Sequence, residues 1–289
     1  MLWLLLALGA ALGAAVGDAM VKRYFSDLSP YGMSLAVWLY PLPFLIPVAF
    51  WLSWPDLDRT FWLAVVAALP LEAAATLLYM RALKVCHLSL CIPFLAFTPV
   101  FLIFTGWLVL GEGLSRWGIT GTILIALGGY ILSLGAGQPG FWAPLKALAR
   151  EKGPRLILMV AGIYAFTSAL GKLAILHSGP AFFGVVYPLA FSGVMLTGYP
   201  WSNPRPGGAL GARYRWGMIT GVFLAGSIFC HVYGMSLAPA TYLIAVKRTS
   251  ILFSVLLGGL WLKERPFVPR LLGAALMCAG VILIALRGG

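Results

Sequence analysis

The 289-residue chain is 61% hydrophobic and only 10% charged, with a formal net charge of +12. Ordinary soluble domains carry roughly 25% charged residues, so the composition excludes a water-facing surface over most of the chain. The positive balance does not point to nucleic acid, because the Lys and Arg residues sit mostly in short stretches between apolar runs, as they do in membrane proteins.

Apolar runs of about 20 residues recur along the chain, each long enough to cross a bilayer core as a helix that satisfies its own backbone. The predicted fold class is all-α, a polytopic membrane protein with ten transmembrane helices at residues 2–22, 31–52, 61–82, 87–110, 116–134, 156–176, 180–200, 216–236, 239–262 and 267–286. The first run has no cation before Lys22 and reads as a retained span rather than a signal peptide. The longest connection, residues 136–155, joins a first five-helix unit (1–135) to a second (156–289). It contains Phe141-Trp142-Ala143-Pro144-Leu145-Lys146, an amphipathic stretch suited to the membrane interface. Cys86, Cys91, Cys230 and Cys278 show no CxxC spacing and are expected to be isolated thiols.

Cations alternate between connections. Those after odd-numbered spans hold Lys22, Arg23, Arg81, Lys84, Lys146, Arg150, Lys152, Arg155, Arg205, Arg213, Arg215, Lys263, Arg265 and Arg270, whereas those after even-numbered spans hold Arg59 and Arg116. By the positive-inside rule the odd connections face the cytoplasm and both termini lie outside. The expected location is the plasma (inner) membrane.

The chain repeats itself. A shift of 152 lays Leu110-Gly111-Glu112 on Leu262-Lys263-Glu264, Gly121 on Gly273 and Gly128 on Gly280. A shift of 150 lays Lys22 on Lys172 and Pro30 on Pro180, and Tyr40-Pro41 recurs as Tyr187-Pro188. A duplicated unit with an odd number of spans must insert upside down, and the charge bias of equivalent loops does reverse. Inverted repeats belong to secondary transporters that bind solute near the midplane between the halves.

Over nearly its whole length the chain resembles the EamA branch of the drug/metabolite transporter superfamily. The resemblance rests on the ten spans, the Leu-Gly-Glu and Leu-Lys-Glu ends of spans four and nine, and the glycine-spaced spans that follow them. It implies alternating access and a cavity lined mainly by spans 3, 4, 8 and 9 with their repeat partners.

Charges inside a bilayer are costly and mark function by default. Lys247 and Arg248 fall well inside span nine, opposite Leu95 and Ala96 of the first half, and are expected to bind substrate. Arginine suits bidentate contact with a carboxylate or phosphate, and lysine acts as a point charge. The alternative is that they only neutralise Glu72 and tie helices together. The pair also resembles the adjacent Lys-Arg on the ninth helix of plastid sugar-phosphate translocators, which implies an anionic group on the solute. The fourth span has no lysine within it, so that resemblance does not extend to a phosphate-specific site.

Glu72 lies near the middle of span three, two residues after Pro70, and is expected either to bind a cationic substrate group, to carry a coupling proton or to pair with Lys247 or Arg248. Asp18 precedes Lys22 by four residues and is expected to pair with it at the interface. Lys172, near the end of span six, is expected to reach the interface as well. His231, Tyr233, Tyr79 and Tyr242 complete the candidate substrate-binding set as a proton relay and aromatic walls. Gly9, Gly13 and Gly17, with Gly217 and Gly221, form small-residue stripes that let helices approach closely. Prolines in spans two and four are expected to bend them.

The leading function is secondary transport of a small organic solute, preferably an anionic or zwitterionic metabolite. The alternative is export of amino acids or drug-like cations through Glu72. A membrane enzyme is disfavoured, since no HExxH, phosphate-cradling glycine loop or nucleophile motif is present. No catalytic residue, metal site or cofactor is expected. The partners are solute, lipid and a candidate coupling proton, in a monomer or homodimer.

Overall fold

A computed structural model of the chain describes residues 1–86, 91–132, 134, 142–203, 205–254 and 269–288. Its helices are α1 (Leu2–Phe25), α2 (Pro30–Leu39), α3 (Leu42–Ala49), α4 (Arg59–Val85), α5 (Thr98–Leu110), α6 (Arg116–Leu132), α7 (Ala143–Arg150), α8 (Lys152–Leu176), α9 (Pro180–Thr197), α10 (Gly207–Ala212), α11 (Tyr214–Leu237), α12 (Ala240–Lys247) and α13 (Pro269–Arg287). Among the described residues there is no strand. Seven segments are long and apolar enough to span a membrane, and two shorter apolar helices, Arg116–Leu132 and Leu272–Arg287, lie beside them. The Leu262-Lys263-Glu264 motif, the second half of the predicted ninth span, the first residues of the fourth and most of the central linker fall outside the described residues.

Local chemistry sets the helix ends. Ser29 accepts a hydrogen bond from Gly32 N (3.1 Å) ahead of Pro30, and Asp58 accepts one from Phe61 N (2.9 Å), so both serve as N-caps. Gly111 ends α5 at φ 66°, a left-handed conformation that costs glycine little. The predicted second span is divided at Tyr40-Pro41 into α2 and α3, whereas α4 runs unbroken through Pro70 and α9 through Pro188. The interfacial stretch of the linker includes α7, an eight-residue helix.

The principal helix pairs are α1 with α11, α4 with α8, and α6 with α13. Small residues set these distances. Along α1, Gly9 faces Cys230, Gly13 faces Ser227 and Gly17 faces Leu224, so the stripe is the crossing surface for α11. Gly217 and Gly221 make room for Tyr40. Gly121 meets the backbone of Gly280, and Gly128 meets that of Gly273. Residues that correspond under the 152-residue shift therefore pair crosswise between α6 and α13.

Three sequence expectations need correction. Cys86 and Cys91 form a disulfide with Cα atoms 6.3 Å apart; only Cys230 and Cys278 are free thiols among the described residues. Asp18 does not pair with Lys22, whose ammonium instead donates to the carbonyls of Leu83 and Cys86. Lys172 does not reach the interface: it is buried at 8% exposure against Glu112.

Candidate functional site

The middle of the molecule holds a partly open cavity of about 290 Å³ whose walls come from α1, α2, α4, α8, α9, α11 and α12 and from the segments following α12 and preceding α5. It forms where two helical segments are interrupted. A 3-10 segment, Ile92–Phe97, precedes α5, with Pro93 inside it and Pro99 just after it. Both prolines fall in the first turn of their segment, where a missing backbone donor costs no helical hydrogen bond, so they mark new starts, unlike Pro70 and Pro188 inside α4 and α9. The second interruption follows α12, where Thr249 N bonds to Val246 O (2.9 Å) and Ile251 N to Arg248 O (3.0 Å) in 3-10 fashion before helix resumes at Ser250. Ile92 and Phe97 lie 152 residues before Ile244 and Thr249, so the two breaks correspond.

Lys247 ends α12 and Arg248 occupies the break, and both line the cavity. Arg248 is 9% exposed; one terminal guanidinium nitrogen donates to Thr98 Oγ1 (2.9 Å), while its Nε has no partner. The Lys247 ammonium lies 3.5 Å from His231 Nδ1. Facing them are two carboxylates. Asp18 on α1 accepts a hydrogen bond from the Tyr79 hydroxyl at 2.6 Å, and Glu72 stands near the middle of α4 beside Thr76 and Thr167. No ion pair within 4.0 Å joins either carboxylate to Lys247 or Arg248. Two positive and two negative groups therefore share one cavity without direct contact. A charge taken from water recovers its lost solvation only through close partners, and all four of these line the cavity. Aromatic walls complete it: Trp38 on α2, Tyr164 on α8, and Phe183 and Tyr187 on α9.

Five of the seven residues expected to bind substrate line this space: Lys247, Arg248, Glu72, Tyr79 and His231. Tyr233 and Tyr242 are placed elsewhere. Tyr233 is 41% exposed on the outer face of α11. Tyr242 is buried against Gly118, where its hydroxyl accepts from Ser115 N (3.1 Å). Sequence reasoning missed Asp18 as a cavity residue, and Tyr164 and Trp38 altogether. Helical spacing holds the signal for Asp18, because Ala14 and Asp18 lie one turn apart on the same cavity-facing side of α1. Among the described residues no cluster of three His, Cys, Asp or Glu side chains is arranged to hold a metal.

Each end of the assembly has polar contacts of its own. At one end Arg213 makes two hydrogen bonds to Asp27 (2.7 and 2.8 Å), and Tyr24 stacks on Trp216 with centroids 4.1 Å apart. These join the end of α1 to the start of α11, and Arg213 holds the Asp27 carboxyl below its ordinary pKa. At the other end His177 Nδ1 lies 2.8 Å from Asp58, joining the end of α8 to the start of α4. The Phe61 N–H is the main group holding the Asp58 carboxyl below its usual range.

The model of the EamA-like transporter family matches residues 1–134 and again residues 152–286. The chain belongs to the EamA-like transporter family. It is thus a multi-pass membrane protein and a transporter of small solutes. A crystal structure of a protein 15% identical to this chain superimposes with a TM-score of 0.73 over 97% of this chain and 98% of its own. At that identity the likeness speaks for the fold alone. No curated protein matches the chain.

Proposed function

We propose that this EamA-like transporter carries a small organic anion or zwitterion across the plasma (inner) membrane by alternating access, as a secondary transporter. Lys247 and Arg248 hold its negative group, and Glu72, Tyr79 and His231 form the rest of the site. The observation that carries this reading is Arg248: a guanidinium 9% exposed that lines a cavity of solute size, with no carboxylate of the described residues within 4.0 Å of it. The chain is organised as ten spans in two inverted five-helix repeats, residues 1–135 and 156–289, joined by 136–155. Odd-numbered connections face the cytoplasm. The matching helix breaks support the repeat. So do two lysines in corresponding positions, since Lys22 Nζ donates to Cys86 O (2.9 Å) and Lys172 Nζ to Ala238 O (2.7 Å), acceptors 152 residues apart. Transport by such a cavity needs no covalent chemistry, and the protein is not an enzyme.

A second reading follows from the carboxylates. Asp18 and Glu72, neither within ion-pair distance of a cavity cation, would receive an ammonium, making the protein an exporter of amino acids or drug-like cations. Thermal stabilisation of the purified protein by a panel of carboxylates, organic phosphates, amino acids and amines separates the two, because a ligand that binds only the folded state raises its stability by mass action. Anions that stabilise wild type but not a folded Arg248→Ala support the first reading. Stabilisation by amines alone, lost in Glu72→Gln and retained in Arg248→Ala, replaces it with the second.

A further inference from the structure

Lys172 and Glu112 are the other charged groups deep in the described structure, and solute binding does not use them. Glu112 follows the glycine that ends α5, and Lys172 is on α8, next to the cavity residue Gly171. The Lys172 and Glu112 side chains are 10% and 13% exposed, respectively, and meet at 2.5 Å. Both also reach the chain entering α12. Lys172 Nζ donates to Ala238 O (2.7 Å), and the Glu112 carboxylate accepts from Ala240 N (2.9 and 3.1 Å to its two oxygens).

This arrangement answers a specific need. The residue at the N-cap of α12 is Pro239, which has no side-chain acceptor for the first free N–H groups of the helix. Glu112 supplies one from the turn that follows α5, with a negative charge at the positive end of the α12 dipole. Lys172 then neutralises Glu112 and holds the preceding carbonyl. The eight residues of α12 span about 12 Å, and its far end presents Lys247 and Arg248 to the cavity. The cap that fixes one end therefore fixes the other.

We propose that Glu112 and Lys172 are positioning residues, a latch that clamps the start of α12, sets Lys247 and Arg248 in place and closes this end of the cavity. The proposal rests on the reading of that cavity as the solute site. An ordinary ion pair would work equally well with its charges exchanged. The latch would not, because a lysine at 112 cannot accept from Ala240 N and a glutamate at 172 cannot donate to Ala238 O.

The test measures cavity access and needs no solute. In a Cys230→Ser, Cys278→Ser background, Ser168→Cys places a thiol on the cavity wall. Its reaction with a membrane-impermeant methanethiosulfonate is timed from each face in proteoliposomes. Glu112→Ala, and the exchange of Glu112→Lys with Lys172→Glu, should each speed labelling by about tenfold or more from the face bearing Gly111–Ser115 and His177–Gly179. Labelling from the opposite face should not speed up. Glu112→Gln keeps an acceptor for Ala240 N and should give a smaller rise; it decides the matter if Glu112→Ala does not fold. Unchanged labelling in the folded variants, a wild-type rate restored by the charge exchange, or an equal rise from both faces would each overturn the latch. A shifted labelling rate with a silent anion panel would sink the anion reading and leave the latch standing.

Discussion

Replacing Gly121 with alanine tests the packing that holds α6 on α13. A Cβ at Gly121 would fall 2.8 Å from the carbonyl oxygen of Gly280, and one at Gly280 would fall 2.6 Å from that of Gly121. Ordinary carbon–oxygen contacts between helices run about 3.3–3.6 Å, so the helices would have to separate by roughly 0.5–1 Å. Ile284 Cγ1, 2.6 Å from the Gly121 Cβ, belongs to a side chain that could shift, but the Gly280 oxygen is backbone and cannot rotate away. A gap of that size forfeits a quarter to a half of each neighbouring dispersion contact, and overpacking of this kind costs about 1–3 kcal/mol. Against this stands the better helix propensity of alanine, worth about 1 kcal/mol at most. The net expectation for Gly121→Ala is a loss of roughly 1–2 kcal/mol, read as a lower melting temperature in detergent. Gly226, within α11, is the control, since a Cβ there meets nothing within 4 Å. Gly226→Ala should be neutral or slightly stabilising. Equal melting temperatures for the two variants would refute the argument that backbone contact, rather than glycine content, sets the α6–α13 distance.

Other expectations concern the cavity and the ends. Asp18→Asn keeps the shape and a hydrogen-bonding oxygen for Tyr79 but removes a negative charge from the cavity, so stabilisation by anions should grow; a decrease would show that Asp18 acts on the solute side of the balance. Tyr242→Phe and Tyr233→Phe should leave ligand stabilisation unchanged, because both hydroxyls lie away from the cavity, and a loss would return them to the site. The Asp27 carboxyl has a depressed pKa in the fold. Its bridge to Arg213 should therefore contribute above the unfolded carboxylate pKa of about 3.9 and fade as pH falls through the lower folded value. A melting difference between wild type and Arg213→Gln that persists unchanged down to pH 3 would contradict this.

What the sequence disclosed about the site depended on how local the cause was. The break before α5 is legible because Pro93 and Pro99, six residues apart, each suit the first turn of a new helical segment. The break at Arg248 has no proline, and only its distance of 152 residues from the first points to it. Arg248 itself was legible because a buried guanidinium is expensive wherever it sits. Asp18 was misplaced for the opposite reason. Its nearest cation along the helix is four residues away, but the hydroxyl that claims it belongs to Tyr79, 61 residues on. Lys172 was misread on the same ground: the lysine stem has the reach to leave the membrane, yet Glu112 and Ala238 satisfy it inside. Glycine stripes that set helix spacing carry a local pattern, but polar side chains that reach from one helix to another do not, so sequence recovers the cations lining the cavity more readily than such contacts. The Glu112 cap on α12 is such a contact. It joins a helix-end motif, visible in the sequence as Leu110-Gly111-Glu112, to a helix 128 residues away that lacks a cap of its own. The motif is thus better explained by the proline at 239 than by anything within its own half of the chain.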